Sequence, residues 1–274
     1  VTNFTQRTLT GFFFVLIITT AIAWGAISYA ALFLIITFLG CNEFYNLIQS
    51  KYYHSNAIIA SIIGAMLFLL VFLVTSGTLN PTILFIPIIL IFLLFTAELF
   101  IAHPDPFKNL AFTLVGIFYI ALPFSMLNLL VINKYTNYLY NGNMLLAYFF
   151  LLWANDTGAY LVGRWLGKHK LLERISPNKT WEGFIGGVFM ALLVSLICSI
   201  YFIELNRLDW MIIALIISVF GTLGDLIESM LKRSIGVKDS GTILPGHGGV
   251  LDRFDGLIGS IHFVIFYLFL VKQY

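Results

Sequence analysis

Charge is what this sequence has least of. Of its 274 residues only 10% are Asp, Glu, Lys or Arg, against 60% hydrophobic, and the mean hydropathy is +0.96. A water-soluble domain carries about 25% charged residues. The deficit excludes an ordinary soluble globule and fits a chain whose outer surface meets lipid. Cysteine is scarce too. Cys41 and Cys198 lie in apolar stretches without metal-ligand spacing and read as small buried hydrophobes. His54, His103, His169 and His262 also show no ligand spacing, and His262 is expected to hydrogen-bond a neighbouring helix. Long polar linkers and a soluble domain are missing. The net charge of +2 says little by itself, because charge placement matters more, and no nucleic-acid partner is expected.

Apolar runs are plentiful, with Phe alone occurring 27 times. A bilayer core takes about 20 mostly apolar residues per helix. The runs at 9–24, 26–41, 57–75, 81–101, 110–132, 143–163, 184–203, 210–230 and 256–272 give about nine transmembrane helices. The fold class is thus all-α, a polytopic integral membrane protein. It divides into an N-terminal membrane region over 1–140 and a C-terminal catalytic membrane region over 141–274. The first run follows Arg7 and ends in Ala21-Ile22-Ala23, which resembles a signal-peptidase site, but a second run follows at once and the first is read as retained.

Charge placement orients the spans. With the N-terminus inside, only Lys134, Arg207 and Lys272 of the 15 basic residues fall outside. Such a bias specifies N-inside and C-outside, and a missed or extra span would spoil it. Two inside loops, 164–183 and 231–255, hold most of the inside basic residues. Glu98, near the end of span 4, is expected to snorkel to the interface, and Glu43, at the end of span 2, to be interfacial.

The chemistry concentrates in and around those loops. Asp225, Glu228, Ser229 and Lys232 recur at i, i+3, i+4 and i+7 and so share one helix face. Asp225 lies within span 8, where an ionisable group is costly unless it faces a wet cavity, a partner or a metal. Pairing with Lys232 or Arg233 is the structural alternative. Asp156, inside span 6, poses the same problem, with Tyr160 one turn on. Gly246, Gly248 and Gly249 around His247 make a backbone that can approach a phosphate closely. Asp252, Arg253 and Asp255 then open the last helix. Acids there suit the helix dipole, but an Arg between two Asp residues also suits phosphates and metals. Mg²⁺ prefers a few carboxylates plus phosphate oxygens. Asp225 and Asp252 are candidates to share it, with Lys232, Arg233, Lys238 and Arg253 neutralising phosphate charge.

The run from Ser229 through Lys232-Arg233, Lys238-Asp239, Leu244-Pro245 and His247-Gly248-Gly249 to Asp252-Arg253 and Asp255 resembles the signature of the phosphatidate cytidylyltransferase (CDP-diacylglycerol synthase) family. Ser176-Pro177-Asn178-Lys179-Thr180-Trp181-Glu182-Gly183 is similar to a second motif of that family, with Asn178 where many members have lysine. Asn155-Asp156-Thr157-Gly158-Ala159-Tyr160 resembles a third. The resemblance reaches back to about residue 140. It implies that CTP and phosphatidic acid give CDP-diacylglycerol and pyrophosphate, with Mg²⁺ required and a second cation left open. It also implies metal-binding roles for Asp225 and Asp252, a cytoplasm-facing cavity, substrates drawn partly from membrane lipid, and a homodimer.

The expected reaction sets two anions against each other. It needs alignment and charge neutralisation more than a strong base, because the attacking phosphate has a second pKa of about 6 and is largely ionised. Ser176, Lys179 and Thr180 suit either substrate, and Glu182 and Glu228 suit supporting roles or metal ligation. Competing readings are a CTP-dependent kinase or cytidylyltransferase of another lipid such as an isoprenoid, a cation-coupled transporter using Asp156, Glu98 and Asp225, and a structural membrane protein. The short N-terminus suggests a bacterial inner-membrane protein.

Overall fold

The computed structural model describes residues 3–49, 57–101, 103, 105–132, 139–241 and 248–272. An apolar chain in lipid must satisfy every backbone N–H and C=O within itself, so helices dominate. In order they are α1 (Asn3–Trp24), α2 (Ala26–Gln49), α3 (Ala57–Thr75), a 3₁₀ turn (Pro81–Leu84) leading into α4 (Phe85–Glu98), α5 (Pro106–Gly116), a π turn (Ile117–Ala121), α6 (Leu122–Val131) and α7 (Asn143–Leu166). Strands β1 (Lys170–Leu172) and β2 (Ser176–Thr180) follow, then α8 (Trp181–Tyr201), α9 (Arg207–Ile235) and α10 (Leu251–Lys272). Among the described residues eight helical stretches are long and apolar enough to cross a membrane, and Thr8–Trp24 is a shorter apolar helix. The all-α, multi-pass reading holds, and each of the nine expected spans falls on one of these stretches.

Hydropathy underestimated several helices. α9 runs to Ile235 rather than 230, and α10 begins at Leu251 rather than 256. Polar residues end an apolar window but not a helix: Lys232 and Arg233 sit in the last turn of α9, where cations suit the dipole, and Gly236 then closes the helix with a left-handed φ of 87°. The loop expected at 164–183 is largely structured. Its centre is an antiparallel hairpin, β1 with β2, in which Leu172 pairs with Ser176.

The chain forms two compact units, Val1–Tyr140 with Asp239–Arg253 and Asn141–Lys238 with Phe254–Tyr274. In the first, α2, α3 and α6 enclose Tyr29, Phe33, Phe44, Tyr45, Phe68 and Phe124, all fully buried. Their polar tips are matched. Tyr29 Oη donates to Asn128 Oδ1 at 3.0 Å, and Tyr45 Oη to the Thr113 carbonyl at 2.9 Å. Only 6% of the Pro81–Glu98 span is buried, against 61% of Pro106–Val131, so α4 lies at the rim of its unit.

The second unit relies on close backbone approach. Between apolar helices in lipid there is little hydrophobic drive, and association depends on van der Waals fit. Gly221 and Gly224 of α9 face Gly256 and Gly259 of α10, and a Cβ on Gly259 would stand 2.6 Å from Gly224 Cα. Tyr148 of α7 and Ser260 of α10 share a buried hydrogen bond of 2.6 Å. Outward faces carry exposed Phe189, Ile200 and Phe266, as a lipid boundary requires.

Candidate active site

In the second unit, α7, the β1–β2 hairpin, α8, α9 and α10 surround a cavity of about 650 Å³. Its polar lining includes Asn155, Asp156 and Tyr160 from α7, Ser176, Asn178, Lys179 and Thr180 from β2, Asp225 from α9, and Asp255 from α10. The hairpin delivers its residues because strand geometry and a cap fix them. Thr180 is both the end of β2 and the N-cap of α8, its hydroxyl accepting the Gly183 N–H at 3.1 Å. Lys170 is tied down by donation of its ammonium to the Pro177 carbonyl at 2.6 Å, and Arg164 donates to Tyr160 Oη at 3.1 Å. Both line the cavity as well.

The cavity is electrostatically mixed. Asp225 Oδ2 pairs with Lys179 Nζ, while its Oδ1 accepts a 3.3 Å hydrogen bond from Ser229. The counter-ion of this aspartate is therefore on β2, not Lys232 or Arg233. Lys232 instead pairs with Glu228 at 3.2 Å, the Glu228 side chain buried and the Lys232 side chain partly exposed. Asp255 lies within electrostatic reach of Asp225, Glu228 and Asp156, with Lys179 as the opposing charge. Three carboxylates and three cationic side chains, Lys179, Lys170 and Arg164, thus line the cavity.

That donor set suits a hard divalent cation. Its candidate ligand atoms are all oxygens. Asn155 adds a buried Oδ1 with no hydrogen-bond partner among the described residues. No three His, Cys, Asp or Glu among the described residues converge as a ready-made cage. Mg²⁺ typically takes one or two carboxylates and completes its shell with water and phosphate oxygens.

Other expected site residues lie elsewhere. Glu182 does not line the cavity. It accepts the Lys168 and His169 N–H groups, at 3.1 and 3.2 Å, and bonds His169 Nδ1 at 2.5 Å. Its carboxylate anchors the connection from α7 to β1. Arg233 donates to the Val237 carbonyl at 3.3 Å beyond the end of α9. Lys238, Asp239 and Arg253 are exposed. His247 lies outside the described residues.

In the first unit, Asp252 and its neighbours form a tight polar turn. Asp252 Oδ2 accepts from Ser240 N at 3.0 Å, Ser240 Oγ at 2.9 Å and Gly249 N at 2.8 Å. Gly248 has φ of 81°, and a Cβ there would also run into Asp252 Oδ2, so glycine is required twice over. Glu43 of α2 was expected at the interface and is instead 6% exposed. It accepts from Ser240 Oγ at 2.5 Å, Val250 N at 2.8 Å and Leu251 N at 3.0 Å. Periodicity cannot reveal this, because the donors stand about two hundred residues further along the chain. Glu98, expected to snorkel, has a specific partner in His103 Nδ1 at 2.8 Å.

The profile of the cytidylyltransferase family matches residues 5–271. Over 256 residues the chain is 37% identical to a phosphatidate cytidylyltransferase of Staphylococcus saprophyticus, covering 92% of this chain and 94% of that protein. It is 47% identical over 154 residues to one from Staphylococcus aureus, covering 56% of each chain. It is 54% identical over 112 residues to one from Staphylococcus epidermidis, 40% of this chain and 43% of that protein. The match thus spans about half the length of the Staphylococcus aureus protein and nearly all of the Staphylococcus saprophyticus one. The chain belongs to the cytidylyltransferase family.

Proposed function

We propose that this protein is a phosphatidate cytidylyltransferase of a bacterial inner membrane, joining CTP to phosphatidic acid to give CDP-diacylglycerol and pyrophosphate. The observation that carries the reading is the second-unit cavity, where Asp156, Asp225 and Asp255 face Lys179, Lys170 and Arg164 in one space. A transporter has no need of so dense a mixture of anchored cations and acids. A metal–triphosphate does, since its phosphates call for cations and its metal for carboxylates. The names of the relatives supply the substrates of this reading.

The chemistry follows from charge. A phosphatidate phosphate oxygen attacks the α-phosphorus of CTP, forming a P–O bond, and the bond to the β-phosphate oxygen breaks as pyrophosphate leaves. Lys179, Lys170 and Arg164 hold phosphate oxygens and lower the repulsion between the two anions. Ser176 and Thr180 offer hydroxyls at the same wall. Asp225, supported by Asp156 and Asp255, would hold Mg²⁺, which when bound neutralises charge on the phosphates. Asp252 is the other ligand that the family resemblance implies. Acyl chains stay in lipid while the headgroup reaches the cavity, CTP comes from the cytoplasm, and the basic-residue bias supports an N-inside, C-outside orientation. The protein works as a homodimer.

The test is turnover of purified protein with phosphatidate, labelled CTP and Mg²⁺, beside the Asp252→Asn variant. Formation of CDP-diacylglycerol by the wild type and its near loss in the variant is the expected result. An inactive, well-folded wild type that instead accepts an isoprenoid phosphate would move the assignment to another lipid.

A further inference from the structure

Glu43 has no place in the chemistry above. It stands in α2, within a half of the chain that the sequence ties to the reaction only as membrane scaffold. Yet it is buried and gathers three donors from a single distant segment: Ser240 Oγ, Val250 N and Leu251 N. The two amides belong to the start of α10, where unsatisfied N–H groups and the helix dipole favour an anion. The fit is tight on every side. A Cβ on Gly241 would stand 2.8 Å from Glu43 Oε2, and one on Gly249 would collide with the same carboxylate.

Ser240 links this carboxylate to a second one. Its hydroxyl lies 2.5 Å from Glu43 Oε1 and 2.9 Å from Asp252 Oδ2, and its amide also donates to Asp252 Oδ2. A hydroxyl has one proton, so the two acids compete for it, and the position of each depends on the other. Asp252 is therefore aimed by a frame whose fixed end is Glu43.

We infer that Glu43 is a positioning residue for the cytidylyl transfer, acting through Ser240 and the first turn of α10 on Asp252. The inference rests on the proposed activity and on the role of Asp252 in it. Glu43→Gln keeps size and shape but presents an amide NH₂ to donors. It disturbs the turn without opening a cavity, whereas Glu43→Asp keeps the charge and shortens the reach.

Two measurements test it. The first is hydrogen exchange of the purified full chain in detergent, followed at Val250 and Leu251. Both amides are expected to be protected in the wild type and to exchange faster in Glu43→Gln, while α7 and α8 stay unchanged. Equal protection in both proteins overturns the inference, whatever the enzyme's substrate proves to be. The second is turnover. Glu43→Gln is expected to lower kcat about 10–100-fold, the usual cost of removing a group that orients a ligand, with little change in KM for CTP. Glu43→Asp should recover part of the loss. The double variant Glu43→Gln/Asp252→Asn should be no worse than Asp252→Asn alone, because the two act as one unit. Additive losses, or a fall that merely follows the fraction unfolded, would reduce Glu43 to a structural anchor. A wild type without cytidylyltransferase activity would reject the proposed function, and the exchange result would still decide the contact.

Discussion

The two units each hold a cluster of carboxylates, and the clusters are balanced in opposite ways. In the first, Glu43 and Asp252 are met by backbone amides and one hydroxyl. In the second, Asp225 and Glu228 are met by lysines, and Asp255 faces their charges. Neutral dipoles in a tight turn hold each anion in a fixed direction. Charged side chains of both signs in an open cavity can exchange partners with a cation and with phosphate oxygens. The contrast is between acids aimed by backbone dipoles and acids balanced by charged side chains, and substitutions can test where that line runs.

The largest effect is expected at Asp225. Asp225→Asn should lower CDP-diacylglycerol formation about 10³-fold, as loss of a central electrostatic group does. Retained activity within tenfold would remove Asp225 from the chemistry. Lys179→Met should fall about 10²-fold and raise the KM for CTP. It also makes the second cluster more negative, so half-saturating Mg²⁺ should drop. A rise in that value would mean Lys179 helps to bind the metal rather than opposing it.

These two expectations show what was legible. Asp225 declared itself because a carboxylate within a 20-residue apolar run needs a reason. Lys179 was visible as a basic residue in a motif, but its pairing with Asp225 was not. The hairpin that brings β2 to α9 is a tertiary arrangement that no local period encodes. Glu182 was visible only as part of the same motif: the chain turns into α8 at Trp181, and the carboxylate faces His169. The nine spans were easier, since lipid imposes length and apolarity on each.

Gly248→Ala probes the first cluster through the backbone. A left-handed φ costs a non-glycine residue about 1–2 kcal/mol, and the new Cβ would displace Asp252. Turnover should fall along with thermal stability, and half-saturating Mg²⁺ should rise, because Asp252 is the other proposed ligand. An unchanged Mg²⁺ dependence would remove Asp252 from the metal site. The smallest effect is expected at the Thr180 cap. Thr180→Ala should cost about 1 kcal/mol of stability and Thr180→Ser far less, which thermal unfolding in detergent can resolve.

Gly224 and Gly259 bring α9 and α10 within main-chain contact. The spacing of Asp225 and Asp255 is thereby written in backbone rather than in side chains. Residues on the lipid-facing sides of both helices can then be exchanged for others of similar apolarity without moving the two acids. The membrane surface of such a protein is free to follow changes in its bilayer, and only a handful of glycines must stand still for the reaction centre to keep its shape.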